Sequence, residues 1–155
     1  MKTWKGVGWS LSSAVLCIQT QLGAASGMHP QNPASFNHRR ELLDTGRTYH
    51  FVDQLPPNYQ LSTPTLLCVH GFPDLWYGWR YQIGPWSSKF RVIIPDMLGY
   101  GSTDKPLAPS EYSTRMLSDD LAALLDLVGV EKAVCVLFRP LVSTLRLSLS
   151  GPYRT

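Results

Sequence analysis

Apolar residues along the chain fall into short continuous runs separated by amphipathic stretches, and this alternation sets the expected elements. TLLCVHG (Thr65 to Gly71) and FRVIIPDM (Phe90 to Met97) are apolar almost without a break, the pattern of strands buried on both faces. KAVCV (Lys132 to Val136) is a third such run, and RTYHFVD (Arg47 to Asp53) alternates in the manner of a strand. DLWYGWRYQIGPW is aromatic and predicts a helix up to Ile83, with Pro85 ending or bending it. TRMLSDDLAALLDLVGV is the clearest helix. Leu117, Leu121, Leu124, Leu125 and Val128 share one face, the acidic residues lie mostly away from it, and Gly129 marks the end. LPPNYQLSTP and LGYGSTDKPLAPSEYS read as loops. Strands alternating with helices imply right-handed crossovers and a mostly parallel sheet with flanking helices, an α/β fold class, over residues 47–136.

The pattern fades on both sides of this body. Residues 1–27 run from Lys2 and Lys5 through a mildly apolar stretch, Val7 to Ile18, to small residues at Gly23, Ala24 and Ala25. That order suits a secretory signal; a disordered extension is the other reading, with Met28 as a competing start. The first reading implies a secreted protein and the second a cytoplasmic one. The apolar stretch is too short to span a bilayer as a helix. Residues 28–46 are polar and turn-rich and are expected to form a mobile arm. Residues 137–155 form a divergent tail with apolar positions at Leu141, Leu145 and Leu149.

Composition changes this picture little. A chain of 155 residues with 44% apolar content suits one modest domain with a core. A net charge of +3, scattered along the chain, gives no reason to expect nucleic acid or an acidic membrane surface as a partner. Cys17, Cys68 and Cys135 are irregularly spaced, and two of them sit inside apolar runs. Unpaired buried thiols are expected, with neither a disulfide nor a metal site.

In an open α/β sheet, chemistry gathers beyond the carboxyl ends of the strands. The first loop there is His70-Gly71-Phe72-Pro73-Asp74. A glycine after a buried strand allows a sharp turn, and a proline two residues on stiffens it. Backbone N–H groups can then converge on one spot and stabilise a developing oxyanion; an ordinary strand-to-helix turn is the plainer alternative. The second loop, Asp96 to Pro106, contains G-x-G. A dinucleotide-binding fingerprint would need its third glycine where Asp104 stands, and KPLAP is a poor helix start. A structural loop is expected there, with Asp96 and Asp104 bonded to backbone amides.

Taken together, HGFPDLWYGWRYQI, VIIPDMLGYGSTDKP and the helix DDLAALLDLVGVEKAV resemble the α/β-hydrolase fold family, and within it the epoxide hydrolases. Haloalkane dehalogenases and some esterases share the H-G-x-P loop. The resemblance runs from Arg47 to Val136. It implies that the Phe72 N–H is an oxyanion-hole donor and that Pro73 fixes the loop through a cis peptide bond. It implies that His70 braces the loop and is not the catalytic base, and that Trp76 lies near the substrate entrance or under a cap. The implied substrate is a small-molecule epoxide or ester, with no metal and no organic cofactor.

The family pattern continues, after the third strand, with glycine, histidine, aspartate, tryptophan and glycine, a strained turn that projects the nucleophile. This chain has Leu137, Phe138, Arg139, Pro140 and Leu141 there. Arg139 or Leu141 falls at the nucleophile position, depending on where the strand ends, and neither can attack a substrate. From Leu137 onward there is no Asp, Glu or His, and Ser143, Ser148 and Ser150 lack a G-x-S-x-G setting. No catalytic residue is assigned. The expectation is therefore a partial, catalytically incomplete hydrolase fold, truncated after the strand that normally precedes the nucleophile. The alternative is a non-catalytic binding or scaffold protein. In either case the strand AVCV is expected to be an exposed edge open to self-association.

Overall fold

The computed structural model describes residues 27–137. The signal-or-extension reading of the N-terminus, Cys17 and the tail beyond Leu137 fall outside the described residues. The strands are β1 (His38–Leu42), β2 (Thr48–Gln54), β3 (Thr65–Val69), β4 (Arg91–Pro95) and β5 (Ala133–Leu137). The helices are α1 (Arg80–Trp86), preceded by a 3-10 turn at Trp76–Trp79, and α2 (Thr114–Leu127). Among the described residues no helix is long and apolar enough to cross a membrane.

The five strands form one sheet in the order β1-β2-β4-β3-β5. The three apolar runs pair in parallel, with β3 between β4 and β5. The sheet as a whole is mixed, because β2 runs antiparallel to both β4 and β1. β1 lies inside the stretch 28–46 that was expected to be an arm. His38 faces Val52 and Leu42 faces Thr48 across a hairpin. Gly46, at φ 80°, completes the turn: its N–H donates to Leu43 O (2.8 Å) and the Leu43 N–H to Arg47 O (2.9 Å). β1 escapes an apolar-pattern reading because HRREL is an edge strand whose charged side chains suit solvent.

Each face of the sheet carries its own core, as strand alternation requires. On one face Leu67, Val69 and Ile93 meet Leu121, Leu124 and Leu125 of α2. On the other, Cys68, Val92 and Ile94 meet Trp76, Trp79 and Ile83. Ser113 caps α2 by accepting the Met116 N–H, and Gly129 ends it at φ 68°. Pro85 lies within α1, which runs one residue past it to Trp86, so the helix neither stops at Ile83 nor breaks there. In the last turn of a short helix a missing N–H costs only one backbone bond.

One acid departs from the expected amphipathic pattern. Asp120 of α2 is fully buried on the apolar side. It accepts from Arg47 Nη1 (2.9 Å) and from the Tyr49 hydroxyl (3.0 Å), tying the start of β2 to the helix. Arg47 also pairs with Glu111. Burial, then the neighbouring Asp120 charge, holds the Tyr49 hydroxyl well above its ordinary pKa. Removing the carboxylate leaves a guanidinium and a hydroxyl without their buried partner. Asp120→Ala is expected to lower the unfolding free energy by about 3–5 kcal/mol, read from urea unfolding. A loss below about 1 kcal/mol, the size of an exposed ion pair, would show that the contact is dispensable.

Candidate functional site

Parallel strands bring β3, β4 and β5 to a common carboxyl end, and the two expected loops leave from there. β3 passes into His70–Pro73, where the Phe72–Pro73 peptide is cis. His70 is buried at 6% exposure, between the loops. Its Nε2 accepts the Met97 N–H (2.9 Å), so the ring proton sits on Nδ1 and donates to Gly71 O (2.9 Å). The edge of Tyr100 closes over the ring, with centroids 5.1 Å apart. With both nitrogens engaged, His70 has no free lone pair for substrate.

The Phe72 side chain is 76% exposed. Its N–H meets no acceptor among the described residues. The Gly71 carbonyl of the same loop is held by the His70 ring. Trp76 is 7% exposed and packs edge-on against Phe36 (5.3 Å) and His38 (4.7 Å). The reason is local. Phe36, two residues before β1, is itself buried beside a tryptophan whose own backbone is anchored.

That anchor is Asp96, the last residue before the second loop turns. Its Oδ1 accepts the Trp76 N–H (2.9 Å) and its Oδ2 pairs with His50 Nδ1 (2.7 Å). Thr103 Oγ1 donates to its backbone oxygen (2.7 Å). Burial raises the Asp96 pKa, but the hydrogen bonds from His50 and from the Trp76 and Ser102 backbones outweigh it, and the net direction is below the usual carboxylate range. Gly101, at φ 49°, leaves the space this requires: a Cβ there would lie 1.9 Å from Asp96 Oδ2. Asp104 Oδ2 accepts the Thr48 N–H (2.7 Å). The G-x-G loop is therefore closed on its own carboxylates and is not a phosphate cradle.

No nucleophile or base is poised beside the Phe72 amide among the described residues. Asp96 has both oxygens bonded, and Asp74 Oδ1 caps the Leu75 N–H (2.8 Å). Burial pushes the Cys68 thiol up to about 12 and raises that of Cys135, so neither is reactive. Cys68 and Cys135 are unpaired and belong to opposite faces of the sheet. No cluster of His, Cys, Asp or Glu able to hold a metal occurs among the described residues. β5 reaches the same end, with Leu137 opposite Val69. A groove of about 600 Å³, lined by Tyr59, Leu61, Thr65, Lys132 and Val134 among others, lies at the other end of the sheet.

The contribution of Asp96 to the loops, unlike its position, was readable only in part. A carboxylate bonding backbone amides was expected at Asp96 and Asp104; the link from Asp96 to His50, and from His50 Nε2 to His38 Nδ1 (2.9 Å), was not. The alternation of RTYHFVD places His50 inside the sheet but does not say which carboxylate it meets.

The sequence profile of the alpha/beta hydrolase fold family matches residues 64–137. Over 93 residues the chain is 46% identical to the epoxide hydrolase srdG of Neurospora crassa, covering 57% of this chain and 27% of that protein. It is 37% identical over 95 residues to human epoxide hydrolase 4, covering 61% of this chain and 25% of the relative. The crystal structure of the epoxide hydrolase VrEH1 from Vigna radiata superposes with a TM-score of 0.61 at 34% identity, over 68% of this chain and 31% of that one. Epoxide hydrolase A from Mycobacterium thermoresistibile gives a TM-score of 0.58 at 33% identity, over 66% and 31%. The chain has part of the α/β-hydrolase fold and is epoxide hydrolase-like, and it spans about a quarter of the length of these curated relatives.

The Asp96 contacts predict an acid dependence. Its folded pKa lies below the unfolded value, so the unfolded chain binds more protons there. The contribution is complete above the unfolded carboxylate pKa of about 4 and is lost as pH falls through the folded value. Asp96→Asn is expected to flatten the fall of stability below about pH 4, read from urea midpoints against pH. An unchanged slope would place the acid sensitivity elsewhere.

Proposed function

We propose that this chain carries the oxyanion-loop part of an epoxide hydrolase-type site and is catalytically silent as its sequence stands. What supports the first half most directly is the Phe72 amide, which meets no acceptor among the described residues, in a loop braced by the His70 and Asp96 contacts. A fixed N–H in such a place stabilises charge developing on an oxygen without reorganising. Relatives named as epoxide hydrolases make a small-molecule epoxide the favoured substrate class for the complete site. An ester, the other substrate the loop suits, develops a tetrahedral oxyanion that such an N–H can also stabilise.

The second half rests on which residues carry no chemistry. Arg139, Pro140 and Leu141 follow β5 where the family pattern carries its nucleophile, and none of the three can attack a carbon. His70 has both nitrogens occupied. An oxyanion donor without nucleophile and base retains little rate enhancement.

A binding role is the second reading, and one observation favours it. β5 is the outermost described strand, with Val134 60% and Leu137 46% exposed. Such an apolar edge, without a charge or proline inside it, recruits another strand. A second copy of this chain, paired edge to edge, is the proposed occupant.

Two outcomes check these readings. The purified chain is expected to hydrolyse an aryl epoxide no faster than buffer; turnover abolished by one substitution in the chain would overturn the silent reading. Sedimentation is expected to show concentration-dependent association that Val134→Lys weakens. A monomer at all concentrations would remove the edge-pairing proposal.

A further inference from the structure

Beyond any hydrolase role, the histidine pair formed by exposed His38 on β1 and half-buried His50 on β2 poses a problem of proton number. Four groups lie in one line. The Pro33 carbonyl is 2.8 Å from His38 Nε2; His38 Nδ1 is 2.9 Å from His50 Nε2; and His50 Nδ1 is 2.7 Å from Asp96 Oδ2. The two imidazoles are nearly coplanar, 19° apart, as an in-plane hydrogen bond between ring edges requires. Both ends of the line are acceptors: a carbonyl at one and a carboxylate at the other. Three hydrogen bonds need three protons, whereas two neutral imidazoles hold two.

We infer that the His38–His50 pair binds one extra proton and that this proton latches the segment around Pro33 onto the sheet. One ring is then an imidazolium, balanced by the Asp96 carboxylate, and every bond in the line is satisfied. The charged groups nearby are few. Arg40 lies opposite His50 in the β1–β2 register and is turned away to Ser102 O (3.1 Å) and Asp104 (3.7 Å). From the 3-10 turn the line is faced by the Trp76 ring, with Tyr77 behind it. Among the described residues, Asp96 is the only carboxylate bonded to the pair.

Losing the proton has a defined consequence. The deepest bond, to Asp96 at 2% exposure, keeps its hydrogen on His50 Nδ1. His50 Nε2 then presents a lone pair, and neutral His38 has one proton for two acceptors. It can serve His50 or Pro33, and one bond opens. The segment affected carries Phe36, whose ring packs on Trp76 and whose N–H bonds Pro33 O (3.2 Å). Because Trp76 is anchored on Asp96, the latch sits one contact away from the loop that presents the Phe72 amide.

The test uses the full chain with 15N-labelled histidine, titrated between about pH 5 and pH 8, where imidazoles change charge. The pair is expected to hold three ring N–H protons at the acid end and two at the basic end. Amide exchange at Phe36 and His38, corrected for its intrinsic pH dependence, is expected to rise about tenfold across the same transition, the effect of losing one hydrogen bond. In His38→Phe, exchange at Phe36 should be fast at every pH while the β4 amides stay protected. Two ring protons throughout, or pH-independent exchange at Phe36 in the unaltered chain, would overturn the proposal. The ring-proton count decides it even if His38→Phe does not fold.

Discussion

Asp96 is the constraint on which the strand-end architecture depends. A buried carboxylate must find hydrogen-bond donors or lose its charge, and its partners come from three places: the Trp76 backbone, the His50 ring on β2, and the Ser102 backbone. Those partners fix the entry to the 3-10 turn, the middle of the antiparallel strand and the return of the G-x-G loop. Gly101 has to be a glycine because the carboxylate fills the space where its Cβ would be. His70 then joins the first loop to the second through the Met97 amide.

The other buried acids follow the same logic away from the site. Asp53 receives two bonds of 2.8 Å from Arg91 and a third of 3.0 Å from Arg39, which knits β1, β2 and β4 together. Arg91 also donates to Val128 O (3.0 Å), so the end of α2 is fastened to the sheet. Asp120 does the corresponding work beneath α2. The carboxylates most deeply placed in this fold are thus consumed by structure. Among the described residues, the buried acids that look catalytic by type are engaged in structural contacts.

Much of this was legible in the chain because burial on both faces leaves a plain mark. TLLCV and RVIIP are nearly pure apolar runs, and both are strands in the parallel part of the sheet. The helix face of Leu121, Leu124 and Leu125 is likewise a matter of period. β1 was not legible, since an edge strand of His, Arg and Glu has no apolar signal and gains its place by pairing. Asp120 was hidden for the opposite reason. Helical periodicity ranks positions by polarity, whereas a buried acid is placed by partners, Arg47 and Tyr49, about 70 residues away. The inward turn of Trp76 depended on Phe36, a residue whose segment carried no expectation of structure.

The contacts that hold the first loop thus come from local sequence and one buried acid. The amide of Trp76 reports on this most directly, because among the described residues its acceptor is the Asp96 side chain. Hydrogen exchange of that amide should be slow in the unaltered chain and fast in Asp96→Ala, with Leu67 and Ile93 protected in both. Equal exchange of the Trp76 amide in the two proteins, with the strands intact, would contradict the account.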